Sequence, residues 1–276
     1  MTIREAMRAA KKRLERAGVP DADVDAGLLF EHVLGVDRLR LLVDGQREMP
    51  QEAQQALMPL LERREKREPL QYILGEAYFM GLRFHVESGV LIPRPDTEIL
   101  CEEALSGLEP GMRVLDIGTG SGALAAAIKA HCPGADVTAV DVSDTALRLA
   151  KHNARENGAD VRFVRSDCFS ALAGETFDLI VSNPPYISDE EMKTLMPEVL
   201  MEPELALRAD MNGLYFYDRI TREAGAYLRM GGRLLFEIGW KQKDDVCALL
   251  AARVGEPFAL RDYGGNWRVC GAKREK

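Results

Sequence analysis

The sequence has few cysteines and histidines, and neither residue type occurs in a pattern that holds a metal or a disulfide framework. The five cysteines are odd in number and widely spaced, without a C-x-x-C pair, so we expect free thiols. The four histidines lie far apart and lack the H-E-x-x-H spacing of a zinc site. We therefore predict that the protein holds no metal.

Long apolar runs are also absent. No stretch reaches the roughly 18 consecutive apolar residues of a membrane-spanning helix, and no charged and then apolar leader precedes a cleavage site. These two absences predict a cytoplasmic protein. Apolar residues make up 46% of the 276 and charged residues 29%, a composition typical of a globular protein with a buried core.

Basic side chains are fewer than acidic ones, 36 against 44. The net charge is −8, and residues 1–70 hold equal numbers of acidic and basic side chains, so the excess of acid lies in the rest of the chain. Tight binding to a long nucleic acid draws on clustered Lys and Arg. The only basic clusters are short, at residues 11–13 and 63–67, and both lie on predicted helices. We therefore expect no direct binding to a long nucleic acid.

The N-terminal quarter of the chain is predicted to be helical. Thr2 and Glu5 have the spacing of a capping box at the start of the first helix, and two further amphipathic stretches follow. We predict a helical bundle over residues 1–68. β-Prone runs punctuated by glycine, beginning at residues 72–74, then predict a β-hairpin linker over residues 69–90.

Residues 91–276 are predicted to form an α/β domain. Short β-branched runs alternate with helical segments, which predicts a doubly wound, mostly parallel seven-stranded sheet with helices on both faces. Ligands in such folds bind at the carboxyl edge of the strands, where the winding reverses. The predicted strands are Arg113–Asp116, Asp136–Asp141, Val161–Arg165, Phe177–Ser182, Gly232–Glu237, Phe258–Arg261 and Arg268–Gly271.

A glycine-rich turn after the first of these strands predicts a nucleotide or nucleoside site. Gly118 and Gly120 leave room for a ligand beside the backbone, and Asp141 ends the next strand, where a carboxylate can hold ribose hydroxyls. The spacing Gly118-x-Gly120-x-x-Ala123 also fits a dinucleotide site, so the glycines alone do not separate NAD from S-adenosylmethionine. Asp116 favours the second ligand, because its carboxylate repels a pyrophosphate and attracts the ammonium group of a methionine tail.

The segment Asn183-Pro184-Pro185-Tyr186 follows the fourth strand and predicts the chemistry. An amide or aryl amine nitrogen is a poor nucleophile, because its lone pair is delocalised. The Asn183 oxygen and the Pro184 carbonyl can each accept one N–H of an NH₂ group and so aim that nitrogen at a methyl donor. The prolines stiffen the loop, and Tyr186 offers a ring to cover a planar substrate. We predict an S-adenosylmethionine-dependent N-methyltransferase.

Several segments together resemble the HemK/PrmC family of class I methyltransferases, which have a Rossmann-like fold and modify the glutamine of the Gly-Gly-Gln motif in class I peptide chain release factors. The resemblance covers nearly the full length. The segments that carry it are residues 91–98 (LIPRPDTE), the glycine loop, residues 181–187 (VSNPPYI), Glu202-Pro203 and residues 237–239 (EIG).

The resemblance implies a release factor as protein substrate, gripped in part by the N-terminal bundle, and it implies site residues. Cys168 stands where some members carry a tryptophan near adenine, and Phe169 is the alternative ring. Arg94 is either a helix-start residue before Asp96 or, as the resemblance favours, a residue that closes the site. The expected catalytic residues are Asn183, Pro184, Pro185 and Tyr186; the expected cofactor contacts are Asp116, Gly118, Thr119, Gly120, Ser121, Gly122, Asp141, Asp167, Cys168, Phe169 and Asn183.

Other function classes stay open at this point. Methyltransferases that act on adenine in nucleic acid use the same Asn-Pro-Pro-Tyr segment on a flipped base, but they add a basic target-reading region. Enzymes that methylate ribosomal RNA or a ribosomal protein glutamine share the same fold. A nicotinamide dehydrogenase would bind NAD and not S-adenosylmethionine, and a non-enzymatic interaction protein would bind neither.

Overall fold

The first helices begin and end at residues whose side chains or backbone suit a helix terminus. The computed structural model describes residues 1–275. In it, Glu5 N donates to Thr2 Oγ1 at 3.2 Å and Thr2 N donates to Glu5 Oε2 at 2.8 Å, so the predicted capping box is confirmed. Gly35 ends the second helix with a φ of 64°. The helices of this region are α1 (Ile3–Arg16), α2 (Ala22–Leu34), α3 (Arg38–Val43), α4 (Gln51–Glu65) and α5 (Leu70–Leu74).

These five helices and a distant segment form one compact unit, called unit 1 here. It comprises Met1–Gly75 and Met196–Met201. Its core is a cluster of aliphatic side chains around Leu14, Leu29 and Phe30, none of which is exposed. The chain therefore returns to unit 1 late in the sequence, which no pattern in the N-terminal quarter indicates.

The β-prone interpretation of residues 72–74 was wrong, because these residues lie in α5. Pro69 precedes the helix, and Gly75 ends it with a φ of 77° while its N–H donates to the Gln71 carbonyl. Pro69 and Gly75, which suggested the ends of a strand, thus mark the ends of a helix of about one and a half turns. The short helix α3 was not predicted either, since only Leu41 of its apolar side chains is buried, while Leu39, Leu42 and Val43 are exposed.

A network of buried charges ties the returning segment into unit 1. Arg64 Nε donates to Asp25 Oδ2 at 2.7 Å, and Arg64 Nη1 lies 3.0 Å from Glu198 Oε1. Arg67 donates to both oxygens of Glu198 at 2.6 Å each. The Arg64 and Glu198 side chains are only 6% and 12% exposed. Because two arginines and two carboxylates balance in this network, removal of any one of the four leaves a net buried charge.

The second compact unit, unit 2, comprises Glu76–Leu195 and the chain from Glu202 onward. A two-stranded hairpin opens it, and a seven-stranded sheet forms its centre. Its strands are β1 (Glu76–Phe79), β2 (Leu82–His85), β3 (Arg113–Ile117), β4 (Asp136–Asp141), β5 (Arg162–Arg165), β6 (Phe177–Ser182), β7 (Leu228–Glu237), β8 (Pro257–Arg261) and β9 (Trp267–Lys273). Its α-helices are α6 (Thr97–Leu105), α7 (Ala123–His131), α8 (Asp144–Glu156), α9 (Asp189–Met192), α10 (Tyr215–Tyr227) and α11 (Lys243–Arg253); Val199–Met201 in unit 1 and Glu204–Ala206 in unit 2 are 3-10 turns.

The order of the large sheet is β5-β4-β3-β6-β7-β9-β8. The first five of these strands run parallel, and β9 pairs antiparallel with both β7 and β8. The mostly parallel seven-stranded fold is therefore confirmed. The winding reverses between β3 and β6, so the carboxyl ends of β3, β4 and β6 meet at the edge where a ligand is expected. Within residues 1–275, no helix has the length and apolar character needed to cross a bilayer.

Candidate functional site

A cavity lies at the carboxyl ends of β3, β4 and β6, and its wall combines the two motifs of the sequence. The glycine turn follows β3, Asp141 ends β4, and Asn183 follows β6. Three expected site residues, Gly122, Phe169 and Tyr186, are not part of the wall. The expected residues that do line it are Asp116, Gly118, Thr119, Gly120, Ser121, Asp141, Asp167, Cys168, Asn183, Pro184 and Pro185.

The glycine turn is shaped by backbone angles that other residues adopt only with strain. Gly118 and Gly120 have φ values of 76° and 56°. Gly122 also has a positive φ, and a Cβ there would lie 2.8 Å from the Cβ of Ala150. Gly122 thus allows α7 to start close against α8, while the two earlier glycines leave the cavity side open.

Asp141 is fixed by the same turn. Its Oδ2 accepts from Gly120 N at 2.9 Å, and its Oδ1 accepts from Ser143 N at 2.9 Å. Each carboxylate oxygen keeps a further lone pair that can accept from a ligand hydroxyl. The Asp141 side chain is therefore oriented in advance for the role predicted from sequence.

Asp116 is a buried carboxylate at the floor of the cavity, 1% exposed. Burial is the main cause that raises its pKa to about 7; the nearby charge of Asp141 also raises the pKa, while hydrogen bonds from Thr119 and from the Ala125 main chain lower it. Thr119 Oγ1 donates to Asp116 Oδ2 at 2.7 Å. A cationic group in the cavity would favour the ionised carboxylate, which agrees with the predicted ammonium contact.

The turn after β5 brings Asp167 and Cys168 to the cavity, and side-chain hydrogen bonds hold this turn in place. Cys168 has a φ of 48°, and Ser166 Oγ donates to its carbonyl at 2.8 Å. Arg219 Nη1 donates to Asp167 Oδ1 at 2.7 Å, so one oxygen of this carboxylate is already engaged. The remaining oxygen and the Cys168 backbone are the groups that this turn can offer to a ligand.

Phe169 does not contribute a ring to the cavity. It is fully buried, and it stacks on Tyr227 with ring centroids 4.4 Å apart and an interplanar angle of 10°. Tyr227 therefore occupies a face that an adenine ring would need. Phe216 and Ile220 of α10 line the cavity instead. Phe216 could not be predicted as a wall residue, since nothing around it in the sequence distinguishes it from a core aromatic.

Asn183 has one end of its amide fixed by the start of α6. Asn183 Nδ2 donates to Thr97 Oγ1 at 3.2 Å, so the carbonyl oxygen is the end available to accept a hydrogen bond. Ser182 Oγ donates to the Ile117 carbonyl at 2.7 Å and holds the end of β6 against β3. Pro184 and Pro185 follow on the cavity wall. The arrangement presents two carbonyl-type acceptors, from Asn183 and Pro184, on one short rigid segment.

Tyr186 is held by two contacts below the cavity. Its hydroxyl donates to Glu237 Oε1 at 3.4 Å, and its main-chain oxygen accepts from Gln242 Nε2 at 3.0 Å. Burial raises the pKa of Tyr186 well above its usual value, and the charge of Glu237 raises it further. A Cβ on Gly213 would lie 2.0 Å from the Tyr186 oxygen, so that position excludes a side chain. Sequence reasoning found neither Gln242 nor Gly213.

Glu202 joins two loops at the cavity mouth. Its Oε2 accepts from Ile92 N at 3.0 Å, and its Oε1 accepts from the Arg94 guanidinium. Ile92, Arg94 and the neighbouring Pro203 all line the cavity. Arg94 thus lies where a residue that closes the site would lie. Within residues 1–275, no group of His, Cys, Asp or Glu side chains is placed to hold a metal ion.

Both the family models and the relatives that the chain resembles are methyltransferases. Residues 5–75 match the PrmC N-terminal domain family, and residues 96–210 match the methyltransferase small domain family. The release factor glutamine methyltransferase of Deinococcus radiodurans is 42% identical over 99% of both chains, and that of Geobacter sulfurreducens is 41% identical over 99% of this chain and 96% of its own. A Pyrococcus furiosus methyltransferase of solved structure, 22% identical, has a TM-score of 0.54 and covers 71% of this chain and 89% of its own.

Proposed function

Because the chain belongs to the release factor glutamine methyltransferase family, we propose that it transfers a methyl group from S-adenosylmethionine to the side-chain amide nitrogen of the glutamine in the Gly-Gly-Gln motif of class I release factors. The relatives confirm the family predicted from the sequence, and they match over almost the whole chain. The observation that carries the proposal is a single cavity that joins the glycine turn, Asp141 and Asn183.

The residues of the cavity fit S-adenosylmethionine, whose sulfonium supplies an electrophilic methyl group. Asp116 offers a buried negative charge for the ammonium group, and Asp141 offers acceptors for the ribose hydroxyls. The backbone N–H groups of the glycine turn suit the carboxylate. Phe216 and Ile220 supply an apolar wall for the adenine, in place of the ring that we had predicted at Phe169.

Asn183 and Pro184 hold the nitrogen that receives the methyl group. Two acceptors fix both N–H bonds of the glutamine amide, and this favours a lone pair that points away from them. Since an amide nitrogen becomes strongly acidic once it carries the methyl group, its proton can leave to water without a buried base. Pro184 and Pro185 restrict the loop, so little ordering is required when the substrate arrives.

The decisive experiment incubates the protein with S-adenosylmethionine and a purified class I release factor. We expect one added methyl group on the Gly-Gly-Gln glutamine by mass spectrometry of the proteolysed factor. A factor with that glutamine replaced by alanine is the matched control and should remain unmodified. Methyl transfer to an adenine oligonucleotide or to a ribosomal protein, with none to the release factor, would contradict the proposal and support one of the alternatives.

We also propose that unit 1 takes part in substrate recognition. Its helix α3 exposes three apolar side chains, Leu39, Leu42 and Val43, which are 70%, 63% and 69% exposed. Exposed apolar clusters of this kind are typical of protein interaction sites. Replacement of Leu39 and Leu42 by serine should raise KM for the release factor and leave KM for S-adenosylmethionine unchanged. An unchanged KM for the release factor would show that Leu39 and Leu42 of α3 do not contribute to its binding.

A further inference from the structure

Glu237 is a buried carboxylate beneath the Asn-Pro-Pro-Tyr segment that the transfer reaction itself does not use. It is the last residue of β7 and is 1% exposed. The neighbouring strand β6 pairs with β7 up to Ser182 and Phe236, so Glu237 and Asn183 follow the same register position on adjacent strands. Glu237 Oε2 is the one buried side-chain oxygen or nitrogen within residues 1–275 that has no hydrogen-bond partner.

Two polar side chains of the segment connect to this carboxylate. Tyr186 donates its hydroxyl to Glu237 Oε1 at 3.4 Å. The Thr97 hydroxyl lies beside the same carboxylate and stabilises its charged form. Thr97 in turn accepts from Asn183 Nδ2 at 3.2 Å. Two hydrogen bonds, Asn183 to Thr97 and Tyr186 to Glu237, therefore meet where the Thr97 side chain lowers the pKa of the Glu237 carboxyl.

We propose that ionised Glu237 is a positioning residue that fixes which end of the Asn183 amide faces the substrate. The inference rests on the proposed function. A carboxylate can only accept hydrogen bonds, so the single hydroxyl hydrogen of Thr97 points toward Glu237. Thr97 Oγ1 must then accept from Asn183, whose NH₂ group turns to Thr97. The Asn183 oxygen is left for the substrate N–H.

A neutral Glu237 removes this directionality. A protonated carboxyl can donate to Thr97, whose own hydrogen is then free to point at Asn183. The Asn183 amide is able to reverse, and its NH₂ group then faces the substrate NH₂, where two donors cannot form a hydrogen bond. The buried charge thus selects the productive orientation of Asn183, although it touches neither substrate nor cofactor.

The surroundings of Glu237 place its ionisation near neutral pH. Burial is the main cause that raises the pKa of Glu237 to about 7; the charge of Asp96 also raises the pKa, while Thr97, Arg268 and Tyr186 lower it. Arg268 is shared, because its Nη2 lies 3.0 Å from Asp96 and 3.1 Å from Asp262. The positive charge that faces Glu237 is therefore partly neutralised by other carboxylates.

The elevated pKa also predicts the effect of Glu237 on stability. Its folded pKa exceeds the unfolded value, so its contribution to stability is fully present below the unfolded pKa of 4.5 and is lost as the pH rises through about 7. A neutral isostere escapes this loss. Glu237→Gln should therefore melt at a higher temperature than the wild type at alkaline pH, with no such difference at acidic pH.

The test compares Glu237→Gln with the wild type in release factor methylation across a pH series. We expect kcat to fall by up to about a hundredfold, with KM for S-adenosylmethionine unchanged, and the acidic limb of the kcat profile to disappear. Thr97→Val, which lacks the hydroxyl, should lose activity similarly, whereas Thr97→Ser, which keeps the hydroxyl, should retain the activity of the wild type. Tyr217→Phe is the matched control, because Tyr217 donates to the main-chain oxygen of Glu237 at 2.9 Å and not to its carboxylate. It should keep the acidic limb.

Three results would overturn the inference. If the wild type methylates the release factor and Glu237→Gln keeps both its kcat and its acidic limb, Glu237 does not orient Asn183, and the proposed function stands. If the wild type transfers no methyl group to the release factor, the proposed function and this inference fail together. Lower activity of Glu237→Gln accompanied by a lower melting temperature at alkaline pH would show a structural role alone, and would also contradict the inference.

Discussion

The affinity for S-adenosylmethionine should depend on the ionisation of Asp116. In the free protein the pKa of Asp116 is raised to about 7 by burial. Only the ionised carboxylate attracts the ligand ammonium, so the apparent affinity follows the ionised fraction. That fraction falls from about one half at about pH 7 to about 3% at about pH 5.5, which predicts a roughly fifteenfold loss of affinity, or about 1.6 kcal/mol.

Calorimetric titration over this pH range measures the effect directly. The ligand ammonium stays charged there, because an α-amino group titrates near pH 7.7 to 8.0. Binding near neutral pH should also release protons, seen as a dependence of the apparent enthalpy on the buffer. Asp116→Asn should bind weakly at every pH, without proton release.

A ligand without the methionine tail gives the internal control. 5′-Methylthioadenosine keeps the adenine, the ribose and the sulfur but lacks the ammonium, so its affinity should change little over the same range. Circular dichroism at each pH verifies that the fold persists. A wild-type affinity for S-adenosylmethionine that stays constant from about pH 7 to about pH 5.5 would refute the assignment of Asp116 to the ammonium group.

Three further changes test the site and unit 1. Asn183→Ala should abolish turnover and leave the circular dichroism spectrum unchanged; retained activity would mean that another residue holds the nitrogen. Gln242→Leu removes the contact to the Tyr186 oxygen and should lower kcat about tenfold and stability by about 1–3 kcal/mol in urea unfolding, whereas wild-type kcat would show that the loop keeps its shape without it. Glu198→Ala should destabilise the protein by about 3–5 kcal/mol, because Arg64 and Arg67 lose a buried partner; a loss below about 1 kcal/mol in thermal unfolding would argue against this network.

The strands of unit 2 could be predicted because their signals are local. Predicted and observed bounds of β4 and β6 coincide, and the others differ by one to four residues at an end. β-Branched runs and the turns that separate them lie in the same stretch of chain, so no distant contact is needed to recognise them. The positions of Asp116, Asp141 and Asn183 in the cavity wall could be predicted as well, since each lies at or next to the carboxyl end of a strand and parallel strands bring these ends to one edge.

The remaining site residues depend on contacts that sequence spacing does not encode. Phe169 is adjacent in the chain to the turn at Cys168, yet its ring packs on Tyr227, and Phe216 from a helix 47 positions later lines the cavity. Gln242 reaches Tyr186 across 56 positions of chain. Such partners are fixed by side-chain packing, and any buried aromatic or amide in the sequence fits the same pattern.

The return of residues 196–201 to unit 1 affects how the protein can be dissected. A fragment that ends at Gly75 contains all five N-terminal helices but not Glu198. Its Arg67 would lose a bidentate acceptor, and Arg64 would keep only Asp25. An excised N-terminal piece would consequently carry excess positive charge in its interior. Recombinant studies of this region therefore need the late segment supplied in trans or grafted through a linker.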